Sequence, residues 1–141
     1  MNGLIVFAIV AVAVVAWFAG MYAMAHLGGW NALAKQFRAT ELPPAKAYRF
    51  SSGSVGMAHY GASLTLRPTD AGLHISAGLF GAPMLLAHPP LLIPWSQFHS
   101  TTKRTILGWS TTVTYVGMPV ICQMTLPGWV ADYIIREEQP T

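Results

Sequence analysis

Charge is what this chain lacks most. Of its 141 residues only 9% are Asp, Glu, Lys or Arg, while 53% are hydrophobic. A soluble domain carries roughly 25% charged residues, so an ordinary cytosolic protein is excluded. Intrinsic disorder is excluded as well, because it needs the opposite combination of low hydrophobicity and high charge. Cysteine occurs once, at Cys122, so no internal disulfide can form and no C-x-x-C metal or redox pair exists. The acids are five: Glu41, Asp70, Asp132, Glu137 and Glu138. None is spaced as a general acid–base pair, which argues against glycosidase-type chemistry.

Metal and nucleotide motifs are missing too. His26, His59, His74, His88 and His99 form no H-x-x-x-H or H-E-x-x-H pair. No metal or cofactor is therefore expected, although His26, beside an apolar run, has the ring nitrogen a pigment or haem would need. Neither G-x-x-x-x-G-K-[ST] nor G-x-G-x-x-G is present. Ser52-Gly-Ser-Val-Gly56 approaches G-x-S-x-G but fails at its first glycine, so Gly53, Gly56 and Gly61 read as relief of backbone crowding. The net charge of +3 is spread thinly, and Lys103-Arg104 is its only adjacent pair. That is too sparse to track a nucleic-acid backbone, so nucleic acid is excluded as a partner.

What the chain does have is one long apolar run. Leu4–Ala25 contains no charge and no proline. As a helix it would rise about 33 Å, enough for a hydrocarbon core of roughly 30 Å. Trp17 and Tyr22 fall in its C-terminal half and Trp30 just beyond, where amphipathic rings suit the lipid–water interface. Ala23-Met-Ala25 resembles a signal-peptidase site, but no basic residue precedes the run, and the run exceeds a normal h-region. An uncleaved anchor is the expectation. Lys35, Arg38, Lys46 and Arg49 follow it against the single acid Glu41. The positive-inside rule then puts the N-terminus outside and the remainder in the cytoplasm of a bacterial inner membrane.

Gly28-Gly29 breaks the run, and Trp30–Arg38 has the spacing of a short amphipathic helix: Trp30, Leu33, Ala34 and Phe37 on one face, Lys35 and Arg38 elsewhere. Such a face can lie in the headgroup plane or pack on the following domain. Pro43 and Pro44 stop it. From Ala47 the period becomes two. Leu64 and Leu66, a Pro68–Gly72 turn, then Leu73, Ile75 and Ala77 mark a hairpin. Further strands are predicted near Tyr48–Ser51, Val55–Tyr60, Leu91–Trp95, Phe98–Lys103, Trp109–Val116 and Val120–Leu126, with a helix over Trp129–Glu138. The predicted organisation is a transmembrane anchor (1–27), an interfacial helix with a Pro-rich linker (28–46) and a mainly-β domain (47–141) of about seven strands and a C-terminal helix, a small barrel or sandwich. That element order is the one found in pleckstrin-homology-like (PH-like) barrels.

Gly29-Trp-Asn-Ala-Leu-Ala-Lys-Gln-Phe37, Ala71-Gly-Leu-His-Ile-Ser76 and His88-Pro-Pro-Leu-Leu-Ile-Pro-Trp-Ser96 follow one another behind the apolar run. In this order the chain resembles a group of uncharacterised bacterial single-pass membrane proteins with GW-x-x-LA-x-x-F, GL-x-x-S and HPPL-x-IPWS. The IPWS stretch is also similar to the strand before the turn in bacterial PH-like and GRAM-like domains. The resemblance implies architecture and carries no activity.

Pro83–Trp95 is markedly apolar, yet Pro83, Pro89, Pro90 and Pro94 forbid a central strand throughout. It is either a loop folded onto the core through Leu92 and Trp95, or an exposed surface for a partner formed by Phe80, Leu85, Leu86, Pro89, Pro90, Leu92 and Trp95. With no catalytic constellation, the leading expectation is a non-enzymatic accessory subunit of a larger inner-membrane complex, respiratory or photosynthetic for instance. It would contact lipid and other transmembrane proteins. The interface set would be Trp17, Tyr22, Trp30, Leu33, Lys35, Phe37 and Arg38. The alternative is a PH-like lipid- or ligand-binding module using Lys103 and Arg104 as phosphate contacts.

Overall fold

The computed structural model describes residues 2–77 and 87–138. Helix α1 is Gly3–Gly28, α2 is Trp30–Phe37 and α3 is Trp129–Glu138. Between α2 and α3 lie β1 (Tyr48–Val55), β2 (Ala58–Pro68), β3 (Leu73–Ser76), β4 (Leu91–Ile93), β5 (Phe98–Ile106), β6 (Trp109–Val116) and β7 (Cys122–Pro127), with a 3-10 turn at Trp95–Gln97. The N-terminal helix, mainly-β body and C-terminal helix are thus the observed architecture.

The strands form one seven-stranded antiparallel sheet, ordered β4-β3-β2-β1-β7-β6-β5 and curled into a half-barrel. Two meanders meet where β1 pairs with β7 through Ser54–Thr125 and Val55–Met124. Register shifts in β1 and in β5 coincide with left-handed residues at Phe50 and Ser100. Such bulges bend and twist a sheet, which is how it curls. The alternating residues Leu64, Leu66, Leu73, Ile75, Leu91 and Ile93 fill the concave side. Val130 and Ile134 of α3 close this core, and the Tyr133 ring stacks on Trp95 at 5.7 Å.

Strand boundaries depart from expectation where chain reversals intervene. Val55–Tyr60 is not a strand: β1 runs on to Val55, and Gly56-Met57 turns into β2. At the other end of β6, the Gly117–Ile121 turn delays β7 to Cys122. After Ile93, Pro94 ends β4, and Trp95 enters the 3-10 turn.

Helix α1 has two unlike halves. Asn2 caps it, its side-chain oxygen accepting from Leu4 N–H at 3.4 Å. From Gly3 to Gly20 nearly every residue is exposed, a stretch about 27 Å long. Beyond it, Met21, Ala25 and Gly28 are buried and Met24 half-buried. These four sit at i, i+3, i+4 and i+7, one helical face laid on the β domain. Length and composition make α1 able to cross a membrane, and its uncovered half nearly matches a hydrocarbon core of roughly 30 Å.

Gly29, at φ 95°, ends α1 in the left-handed region that favours glycine, and α2 starts at the next residue. The apolar face of α2 is turned inward: Trp30 and Leu33 have no exposed surface. This corrects the membrane-interface assignment of Trp30 and Leu33. Their side chains belong to the same core as Met21, Ala25 and the sheet, so the core does not divide at 27/28 or 46/47.

Candidate functional site: the seat of the N-terminal helix

The end of α1 meets the β1–β2 turn without intervening side chains. A Cβ at Gly28 would lie 2.6 Å from Ala58 Cβ and 2.8 Å from the Val55 carbonyl oxygen. A Cβ at Gly56 would overlap the Gly28 carbonyl, and Gly56 also sits at φ 58°. Gly56 N–H donates to the Gln123 carbonyl at 2.8 Å, tying the turn to β7. Gly29 packs beside Cys122 of that strand. Two facing glycines thus bring backbone against backbone where helix and sheet meet.

Next to this seat, Trp17, Met21 and Met24 of α1 face His59, Tyr60, Gly61, Ser63 and His88 across a cleft of about 180 Å³. Beneath it Trp30, Tyr60 and His88 form one aromatic cluster with ring centroids 5.1–5.4 Å apart. The Tyr60 hydroxyl and His88 Nε2 are hydrogen-bonded at 2.8 Å, and Trp30 Nε1–H donates to the Pro89 carbonyl at 2.8 Å. Burial pushes the Tyr60 phenol well above its ordinary pKa, so it stays protonated. The arrangement clamps the 87–90 segment, α2 and β2 together.

Burial also shifts Cys122 and His74. Burial pushes the Cys122 thiol up to about 11, against a weaker opposing effect of its hydrogen bond with the Gly56 backbone, so no thiolate nucleophile is present at neutral pH. His74 is 1% exposed and borders a cleft lined also by residues 39–42, Ser76 and Pro90. Burial first, and Arg67 second, lower its pKa. His26 Nδ1 contacts the Asn31 side-chain amide at 3.3 Å. Among the described residues no group of three or more His, Cys, Asp or Glu side chains could hold a metal ion.

The proposed partner loop is divided by the structure. Phe80, Leu85 and Leu86 lie outside the described residues. Pro89, Pro90 and Leu92 are half-buried, and their neighbours are internal: the Pro90 carbonyl accepts from Ala39 N–H at 2.8 Å, and Arg38 bridges to Leu91. Trp95 is 5% exposed and its Nε1–H donates to the Thr69 carbonyl at 2.8 Å. Trp95 is therefore a core residue and not a docking residue, which corrects that assignment. On the interface set, Trp17, Tyr22, Lys35 and Arg38 are exposed, whereas Phe37 is half-buried against the core.

Lys103 and Arg104 are also separated. Neighbouring strand residues point to opposite faces. Lys103 Nζ reaches Asp132 of α3 at 3.3 Å, while Arg104 lines a shallow depression of about 370 Å³ with Ile106, Trp109, Thr111, Val113, Gln123 and Thr125. The expected pair of phosphate contacts is thereby reduced to Arg104. Sequence reading missed Gly28 and Gly56 as partners, and it missed the hairpin tip, where Ile106, Leu107 and Trp109 are 68%, 94% and 81% exposed.

No protein-family model, curated protein or solved structure matches this chain.

Proposed function

We propose that the chain is a non-enzymatic, membrane-anchored accessory subunit of a larger assembly in a bacterial inner membrane. Its N-terminus would lie outside and its β domain in the cytoplasm. The observation that carries this reading is the seat: Met21 and Ala25 are part of the domain core, and the buried Gly28 abuts Gly56 backbone to backbone. A simple tether needs no such joint. A fixed joint is useful where a helix docked among other transmembrane helices must hold a domain in one orientation. The uncovered face of α1, Leu4–Gly20, is the docking surface in this reading. The basic residues Lys35, Arg38, Lys46 and Arg49 following the span support the orientation.

Purification from native membranes in mild detergent tests the reading. A stoichiometric complex that retains the chain, and loses it when large residues replace small ones along Ala8, Ala11, Ala16 and Ala19 of α1, is the expected result. A chain that leaves native membranes alone, with unchanged elution in those variants, would refute it.

A further inference from the structure

The β5–β6 hairpin has a tip that the fold does not explain. Leu107 (φ 50°) and Gly108 (φ 82°) form its turn. Two left-handed residues are what a tight hairpin turn demands, and Asn-Gly or Asp-Gly serve it best. Leucine at the first of these positions is strained and gains no burial in return, being 94% exposed. Ile106 and Trp109, paired across the hairpin, flank it with most of their surface uncovered. Arg104 lies one strand step back on the same face as Ile106 and Trp109.

We propose that this tip is a second membrane contact: Leu107, Ile106 and Trp109 enter the interface of an anionic bilayer, and the Arg104 guanidinium meets lipid phosphate. Three observations favour lipid as the occupant. First, a wedge of aliphatic side chains beside an indole and one cation has the composition of an interfacial insertion device. Second, the sequence holds no Asp or Glu anywhere from Ala71 to Ala131, so neither strand of the hairpin carries an acid, and Asp132 of α3 is paired with Lys103.

Third, the register directs the tip toward the bilayer. Gly28 lies by Ala58, while Trp17 and Met21 border Gly61 and Ser63, so α1 leaves the domain along β2 in the sense from Ala58 to Ser63. Following the pairs Val55–Ala58, Val55–Met124, Thr114–Met124 and Thr111–Pro127 across the sheet, the Ile106–Trp109 tip lies at that same end. Sheet twist of about 20–25° per strand turns β6 by roughly 60–75° relative to β2, which leaves the hairpin a component along the exit direction of α1. Met57, 92% exposed on the β1–β2 turn, lies at the opposite end. This contact requires only the bilayer and is independent of any host complex.

The test uses the full chain with Cys122→Ser, carrying an environment-sensitive fluorophore on Leu107→Cys or, as control, on Met57→Cys. Each is reconstituted into vesicles of phosphatidylcholine alone or mixed with phosphatidylglycerol, and circular dichroism checks folding. The expected result is blue-shifted emission quenched by brominated acyl chains at position 107 and aqueous emission at position 57. On anionic vesicles Arg104→Ala should lower the inserted-to-free ratio roughly fivefold, with no change on neutral ones. Aqueous emission at both positions would overturn the proposal. So would shielding of position 107 that appears in native membranes but not in pure vesicles, because the occupant is then a protein.

Discussion

Substituting Gly28 and Gly56 by alanine, singly and together, probes the joint between helix and sheet. At Gly28 the new methyl would sit 2.6 Å from Ala58 Cβ and 2.8 Å from the Val55 oxygen. Ordinary contact begins near 3.4 Å, so both neighbours overlap by about 0.6–0.8 Å, and neither is the end of a flexible side chain. Overpacking of this kind costs about 1–3 kcal/mol, and the helix propensity gained over glycine returns up to about 1. At Gly56 the left-handed conformation adds about 1–2 kcal/mol before the overlap with the Gly28 carbonyl is counted, so the change should cost about 2–5 kcal/mol. Both substitutions open the same contact, so the double variant should fall short of the sum by at least about 0.5 kcal/mol. Gly61→Ala is the control, since its Cβ would meet nothing nearer than His59 Nε2 at 3.9 Å. Chemical unfolding of the detergent-solubilised full chain, followed by near-ultraviolet circular dichroism, measures all four. Losses at Gly28 and Gly56 no larger than at Gly61, or fully additive losses, would refute a shared backbone contact.

Three other perturbations separate packing from function. Trp95→Ala should destabilise the domain by about 3–5 kcal/mol, as loss of a core aromatic does, and Thr69 loses a donor to its carbonyl as well; an unfolding curve superimposable on wild type would return Trp95 to the surface. His74 has a folded pKa below its ordinary 6.5, so the unfolded chain binds the proton more readily. Stability is then full above pH 6.5 and falls as pH drops below it toward the folded value. His74→Gln should flatten that slope, whereas an unchanged slope would assign it to another group. The Cys122 thiol, raised to about 11, should react with iodoacetamide far more slowly than a free thiol at pH 8 and accelerate in Gly56→Ala, which disturbs its neighbour; equal rates in both proteins would contradict the burial argument.

Several of these features could be read from residue order alone. The hairpin of Leu64 and Leu66 with Leu73 and Ile75 is legible because one buried face imposes a period of two, and the register shows Leu66 opposite Ile75. The apolar helix is legible because nothing in Leu4–Ala25 interrupts it. Trp30 and Leu33 were ambiguous for a physical reason. An amphipathic face specifies that it meets an apolar phase, and lipid and protein core are both apolar. The β1–β2 turn was missed because Gly53, Gly56 and Gly61 look alike in sequence, and only the approach of Gly28 from a distant helix singles out Gly56. Lys103-Arg104 misled because adjacency in sequence suggests shared chemistry, whereas adjacency in a strand sends the two side chains to opposite faces.

The central claim is that one helix does two things: its first part lies in lipid and its last two turns belong to the domain. Spin labels placed singly on Phe7, Val12, Tyr22 and Leu27 of the full chain, with Cys122→Ser, in lipid nanodiscs test it most directly through relative accessibility to oxygen and to a water-soluble nickel complex. Oxygen accessibility should be greatest at Val12 and nickel accessibility greatest at Leu27, with Tyr22 intermediate. Nickel accessibility at Val12 equal to that at Leu27 would place the helix in water and contradict the account.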